Sequence, residues 1–495
     1  MKLKLIFFLI LINANLQAQV NVDWYNYPGG VAVATNNNYD VYTVDWDFNP
    51  AGDITLTKRD SSGTVLWDTA YDNTDNTRHE VATWVETDNA GSILVSGTIR
   101  SGISNPVNAA SLLMKFDSSG ALLWRVVYES SFDGSSTKKV VIDANNNIYV
   151  LGLGIGSNGL VTKVKKFDPA GIPVWSYFDT TGIGGPLNIK FTPDNNLLIV
   201  GRGVSGNANG FSKIDLNGNS IWSIAGISSN TIGDAAGDSA GNTYLINGEY
   251  VISNSGSVIQ KISPSGLQIW ADTNSITAFR VEVGSDNNPV VCGFPNTGTP
   301  GAAFIKYDSI GNILWQNLDG DGPSYALLLH SQMEMDIDNA VYLAAGTLTQ
   351  MAICKVNSNG TSAWTVAIPG SYANAFDFQT NDVIYVVGGT TAKIGQPLST
   401  TVDQNIQNDI DNDINLFPNP VQSKATVEFN LSEINNVSIS IVDAVGRTVK
   451  SISTNNLQQG QNKITLDFYE FNNGIYFLRI KSNDGLQTIK LIKME

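Results

Sequence analysis

Lys115-Phe-Asp-Ser-Ser-Gly120-Ala-Leu-Leu-Trp124 is one copy of a ten-residue pattern, Lys-x-(Asp/Asn/Ser)-x-x-Gly-x-x-x-Trp, that occurs seven times in the chain. The copies run from Lys58 to Trp67, Lys115 to Trp124, Lys166 to Trp175, Lys213 to Trp222, Lys261 to Trp270, Lys306 to Trp315 and Lys355 to Trp364. Successive tryptophans lie 57, 51, 47, 48, 45 and 49 residues apart. A period of this size marks a repeat architecture. Before each copy comes a turn rich in Asp, Asn and Gly, then an apolar strand that ends near a glycine. Asp143-Ala-Asn-Asn-Asn-Ile-Tyr-Val-Leu-Gly152 and Asp238-Ser-Ala-Gly-Asn-Thr-Tyr-Leu-Ile-Asn-Gly248 are examples. Each unit therefore holds four short strands joined by tight turns, which describes a β-propeller blade.

The two patterns differ in number. A weaker turn-strand copy at Asn36 to Val44 and a last one at Asn381 to Gly388 bring that pattern to eight, against seven Lys-to-Trp copies. The last copy continues into Thr391-Ala-Lys393-Ile394 and stops before an outer strand, whereas Val20-Asn-Val-Asp-Trp24 reads as an outer strand without a blade. Joining the two predicts an eight-bladed ring latched by the N-terminal strand, with Trp24 as the eighth tryptophan. Seven blades is the alternative. The tryptophan rings are expected to lie against neighbouring blades, with the glycines permitting the turn into the outer strand.

Composition agrees with many strands and turns. Hydrophobic residues make up 42% and charged residues only 15% of the 495, and no stretch shows helical periodicity. The net charge of −16 argues against nucleic acid, whose phosphates demand a basic surface. Lys2 and Lys4, then the apolar run Leu5 to Ile12, read as a secretory signal peptide over residues 1–18, too short an apolar run to span a bilayer. No other segment is a transmembrane candidate. Cys292 and Cys354 sit in strand contexts on neighbouring repeats and are expected as buried thiols rather than a disulfide.

The propeller is expected over residues 19–395, followed by a polar, acidic linker at 396–414 and a compact run of alternating strands at 415–495. Six or seven strands in that tail predict a small β-sandwich.

Chemistry is sparse. The chain has two histidines, His79 and His330, and neither sits in a metal-ligand spacing. The Asp72-Asn-Thr-Asp75-Asn-Thr-Arg-His79-Glu80 segment gathers the hard oxygen ligands calcium takes, although a solvated loop is the plainer reading. Asp336-Ile-Asp338-Asn339 is read as an ordinary turn of the repeat. No cofactor is predicted, and no nucleophile elbow, zincin helix or phosphate-binding loop is found.

Two resemblances follow from these residues. The Lys-to-Trp repeat resembles the tryptophan-docking motif of quinoprotein-type propellers, a group that includes dehydrogenases and a non-catalytic outer-membrane assembly scaffold. The resemblance implies the architecture but not the activity. In the tail, Asn415-Leu-Phe-Pro418-Asn419-Pro420, the Asp443-Ala-Val-Gly446-Arg447 hairpin, Gly474-Ile-Tyr476 and a last strand with Lys490 and Lys493 resemble the type A C-terminal sorting domain of the type IX secretion system. That resemblance implies export through an outer-membrane translocon, processing by a sortase, and a destination on the outer-membrane surface or outside the cell. Together these readings favour a binding, adhesion or scaffold protein with an extracellular glycan or protein ligand. A secreted glycan-acting enzyme or a quinone-dependent oxidoreductase using the propeller channel is the alternative.

Overall fold

The computed structural model describes residues 21–494 except 27–28, 37–39, 47–52, 72–78, 101–108, 129–135, 157–158, 180–182, 204–208, 228–230, 250–256, 274, 297–300, 319–331, 347–349, 372, 381–382, 396–414, 432–434, 444–447, 470, 472 and 483–484. The chain forms two compact units, 1–396 and 397–495. Among the described residues no helix is long and apolar enough to cross a membrane.

The first unit holds eight four-stranded antiparallel sheets, which are the blades of a propeller. Blade 2 is typical, running His79–Thr87, Ile93–Arg100, Ala110–Phe116 and Leu122–Tyr128 from the innermost strand outward. The innermost strands of the other blades are Ala32–Thr35, Ser136–Ile142, Ile183–Phe191, Thr231–Gly237, Ile276–Val283, Gln332–Met335 and Ala373–Thr380 for blades 1 and 3 to 8. Blade 8 takes its outer strand from the other end of the unit: Asn21–Asn26 pairs with Thr391–Gly395, placing Trp24 opposite Lys393. This is the eight-bladed, N-terminally latched ring expected from the count of repeats.

The core is divided accordingly. Each junction between neighbouring blades has its own apolar cluster, from Tyr42 and Leu56 with Val85 and Leu112 between blades 1 and 2 to Val33 and Val41 with Ala375 and Tyr385 between blades 1 and 8. The ring closes there with Gly30 N–H donating to Gly388 O at 3.1 Å and Thr35 N–H donating to the Asp377 carboxylate at 2.7 Å. Cys292 and Cys354 are free thiols in the cluster between blades 6 and 7.

The second unit is a sandwich of a three-stranded and a four-stranded sheet. Alternate residues from both, among them Val427, Phe429, Ile439, Ile441, Leu478 and Leu491, fill its core. The expected strands form, and Asn415–Phe417 adds one more.

Candidate functional site: repeat contacts and the central channel

The repeated residues hold blade to blade. The Trp67 indole N–H and the Lys58 ammonium both donate to the carbonyl of Ser118 in blade 2, at 3.3 and 3.4 Å. Lys166 and Trp175 share Leu216 O at 3.1 and 3.2 Å, and Lys261 and Trp270 share Ser309 O at 2.8 and 3.2 Å. Trp24 and Trp315 reach the equivalent carbonyls, Ser61 O and Ser358 O. The motif glycine that each ring covers has φ between +81° and +98°. A Cβ at Gly63 would come within 2.5 Å of the Trp24 ring and one at Gly120 within 3.1 Å of Trp67. The glycine therefore serves the docking of the preceding blade's ring as well as the turn. Trp124 lies against Gly171 in the same way. Most rings are half-buried; only Trp222 and Trp364 are deeply buried, and their indole N–H groups find no acceptor among the described residues.

The Asp/Asn turns supply a second contact that sequence reasoning left unused. In blades 1, 3, 5 and 7 the turn aspartate accepts from a fully buried tyrosine, as Asp143 does from Tyr149 at 3.0 Å and Asp336 from Tyr342 at 3.1 Å. The motif lysine then lies over that ring, Lys166 at 4.9 Å from the Tyr149 centroid and Lys355 at 4.9 Å from Tyr342. Blades 2, 4 and 6 lack this tyrosine, and the lysine pairs with the turn carboxylate: Lys115–Asp88 at 2.7 Å, Lys213–Asp194 at 2.8 Å and Lys306–Asp286 at 2.7 Å. Asp336 also accepts from Asp338 N–H and Ala340 N–H, as a turn.

What does not repeat faces the axis. A cavity of about 780 Å³ is lined by side chains from every blade. Its wall follows from a device in the repeat. In blades 2, 3, 4, 6 and 8 the innermost strand carries an extra residue, at Thr83, Lys138, Leu187, Phe279 and Asn374. Each bulge lies beside the glycine that ends the apolar strand: Gly97, Gly152, Gly201, Gly293 and Gly388. A Cβ on Gly152 would meet Ser136 O at 2.5 Å, and one on Gly293 would meet Thr277 O at 2.4 Å. The glycine thus admits the bulge, and the bulge re-aims the residues around it toward the channel.

The register then stacks polar residues in tiers. One tier holds Glu86, Lys190, Glu282, Glu334 and Asp377, paired across to Leu94, Leu198, Val290, Tyr342 and Tyr385. The next holds Trp84, Lys139, Asn188, Asp234, Arg280 and Gln332. Lys190 bridges them, paired with Glu282 and, at 3.5 Å, with Asp234; Ala236, the blade 5 member of the first tier, is small enough to let it cross. Lys139 donates to Asn188 at 3.1 Å and lies over the Trp84 ring at 4.9 Å.

Burial and crowding of like charge tune these groups. Burial, then Asp377 and Glu282, pushes the Glu334 carboxyl up to about 8. Burial and Asp377 push Glu86 up to about 7. Burial also raises Asp377 against the hydrogen bonds from Thr35. Lys139 is lowered by burial and by Lys190, whereas Lys190, though burial opposes it, is raised by Asp234 and Glu282. Among the described residues no group of three or more His, Cys, Asp or Glu could hold a metal ion. His79 and Glu80 begin the inner strand of blade 2, while the rest of the proposed calcium segment and His330 lie outside the described residues.

In the tail, most of the quoted residues converge. The Asn419 side chain donates to Lys490 O at 2.8 Å and accepts from Ile492 N–H at 2.9 Å, so the turn Pro418-Asn419-Pro420 is tied to the last strand. Gly474 pairs with Lys493, which is buried, and Tyr476 sits in the sandwich core against Phe471. Lys490 is exposed, and Gly446 lies outside the described residues.

Comparison with curated proteins returns no match. Among solved structures, BamB from Moraxella catarrhalis is 17% identical, with a TM-score of 0.45 over 73% of this chain and 93% of that one. PorZ, a surface component of the type-IX secretion system of Porphyromonas gingivalis, is 11% identical, with a TM-score of 0.31 over 94% and 81%. A protein of unknown function from Bacteroides caccae is 12% identical, with a TM-score of 0.36 over 66% and 93%. Residues 415–494 match the family model of the secretion system C-terminal sorting domain, so this propeller carries a sorting tail of the kind that implies secretion to the cell surface or the extracellular space.

Proposed function

We propose that the chain is an exported binding protein whose ligand site is the central channel. In this reading residues 1–18 are removed as a signal peptide, the type IX translocon reads the 415–495 domain, and a sortase acts in the 396–414 linker. The propeller is then attached to the surface or released. One observation carries the binding role: a cavity of about 780 Å³ with polar residues from seven of the eight blades, within the size range of small-ligand sites. A glycan microarray probed with the full chain tests it. Binding is expected and should vanish in Asn188→Trp, which fills the channel, at an unchanged unfolding midpoint. Binding that survives this substitution, or none across the array, overturns the reading.

A second reading, a glycan-acting enzyme, draws on Glu334. A carboxylic acid that keeps its proton near neutral pH, with other carboxyl groups in its own tier, is what acid-assisted glycoside cleavage uses. Turnover of a polysaccharide panel that is abolished in Glu334→Gln would support it, and no turnover by the wild-type chain would dismiss it.

A further inference from the structure

The cavity wall loses blades toward the Asp/Asn turns. Along each inner strand the tier of Glu86, Lys190 and Glu282 comes after that of Trp84, Asn188 and Arg280, and so lies nearer the turn. At the earlier tier, or before it in the strand, every blade contributes to the wall, from Val31 of blade 1 to Asn374 of blade 8. At the later tier only Lys190, Glu282 and Glu334 do, with Val283 and Met335 just beyond. Those five come from blades 4, 6 and 7. Blade 5 drops out between the two tiers. Its Gly233 and Asp234 line the cavity but Ala236 does not, and Ala236 is only 4% exposed although it belongs to the later tier. The Lys190 side chain leaves blade 4, passes blade 5 and ends on Glu282 of blade 6, with the Asp234 carboxylate at 3.5 Å.

We propose that Lys190 is a bar across the turn-side end of the channel, and that the site is therefore a pocket with one mouth that takes a small molecule or the end of a chain. The middle of a polymer threaded along the axis is excluded. This rests on the reading of the channel as the ligand site and names the class of ligand by its shape. The long lysine stem covers Ala236, and the carboxylates of blades 5 and 6 hold its ammonium in place. A second lysine works in the same sense one tier earlier. Lys139 of blade 3 donates to Asn188 of blade 4 at 3.1 Å and lies over Trp84 of blade 2 at 4.9 Å. This side of the channel is thus tied side chain to side chain from blade 2 to blade 6. A threaded polymer would have to break these contacts, whereas a chain end entering where the inner strands begin meets the open wall first.

Labelling of single cysteines in the full chain by the neutral reagent N-ethylmaleimide tests the bar without a ligand. Cys292 and Cys354 are buried, so the unsubstituted chain serves as the blank. Ala236→Cys lies under the bar, and Arg202→Cys lies on the exposed wall. Arg202→Cys should react about ten-fold faster than Ala236→Cys, because thiol reactivity follows access. Adding Lys190→Ala should speed Ala236→Cys about ten-fold and leave Arg202→Cys unchanged, whereas Lys190→Met, which keeps the stem's bulk, should not speed it. Equal rates at 236 and 202 with Lys190 in place overturn the bar. So does an Ala236→Cys that stays slow after Lys190→Ala. Should Lys190→Ala lower the unfolding midpoint by stranding two carboxylates, adding Glu282→Gln relieves the charge and the same comparison decides. The ligand class has its own readout. For a glycan bound on the microarray, a partial hydrolysate of the polysaccharide that contains it should compete far better than an equal mass of intact polymer, since it supplies more ends. Equal competition overturns the chain-end class. No binding across the array removes the channel reading and the ligand class with it, while the labelling still judges the bar.

Discussion

The indole N–H of Trp24 donates to the carbonyl of Ser61 at 3.2 Å, stitching the last blade to the first. The same ring covers Gly63 and packs against Tyr385 of its own blade. Trp24→Ala removes all three contacts. Because the ring is half-buried, the loss should be about 2 kcal/mol, below the ~3–5 kcal/mol of a fully buried tryptophan. Equilibrium urea unfolding of the propeller should show it, with Trp24→Phe retaining part of the stability. An unchanged midpoint in Trp24→Ala would remove the latch from the account.

Gly63 and Gly91 separate docking from backbone strain. Both have positive φ, +87° and +78°, but a Cβ at Gly91 meets nothing within 4 Å. Gly91→Ala should therefore cost only the left-handed penalty of about 1 kcal/mol. Gly63→Ala should cost about 1–3 kcal/mol more, since the added methyl displaces the Trp24 ring. Equal shifts in the unfolding midpoint would contradict the docking role.

Lys213 is fully buried and donates to both Asp194 at 2.8 Å and Gly241 O at 2.8 Å. Asp194→Ala leaves its ammonium without a counter-charge and should destabilise by about 3 kcal/mol. Replacing both, Lys213→Met with Asp194→Ala, should recover part of the loss. A double variant weaker than Asp194→Ala alone would argue that the lysine's bond to Gly241 matters more than its charge.

The carboxyl of Glu334, raised to about 8, sets a pH dependence. The folded state holds this proton where the unfolded chain, with an ordinary carboxyl near ~4.3, releases it. Stability is thus fully present below the unfolded value and is lost as pH rises through the folded one. Glu86, Glu282, Asp377 and Lys139 face the same space and titrate with it. Between pH 5 and pH 8 the wild-type unfolding midpoint should fall more than that of Glu334→Gln. Parallel falls in the two proteins would exclude the group.

Export should depend on the tail's terminal clasp. Deleting 415–495 should leave the protein in the periplasm, detected by cell fractionation. Asn419→Ala, which severs both bonds to the last strand, should reduce surface delivery while the propeller stays folded. Normal delivery of the deletion variant would sink the sorting role.

The ring was legible in the sequence because its contacts recur. Six of the seven motif tryptophans cover the motif glycine of the next blade, so one physical requirement is written at nearly every period. The missing eighth copy was equally informative, since Trp24 stood at the other end of the unit. The channel was not legible, for the opposite reason. Glu86, Lys139, Lys190 and Arg280 each occur once, and the bulges at Lys138 and Phe279 break the alternation that would assign their faces. The glycines that admit those bulges were visible as strand ends, but their purpose lies in a close approach to the neighbouring backbone. The buried tyrosines at 149, 244 and 342 stood in plain sight within the turn motif; only their burial against the motif lysines gives them a role.

The pairing of Asn21 with Gly395 has a consequence for a protein that leaves the cell. Blades 1 to 7 are each continuous in sequence and need only local chain to form their sheets. Blade 8 must wait, because its outer strand is made first and its other three strands last. A cargo truncated anywhere before Thr391 would leave its leading strand without an edge to join and its first blade uncovered. Ring closure is therefore a completeness check: only a chain that has emerged to the end of the propeller, just short of the sorting tail, can lock.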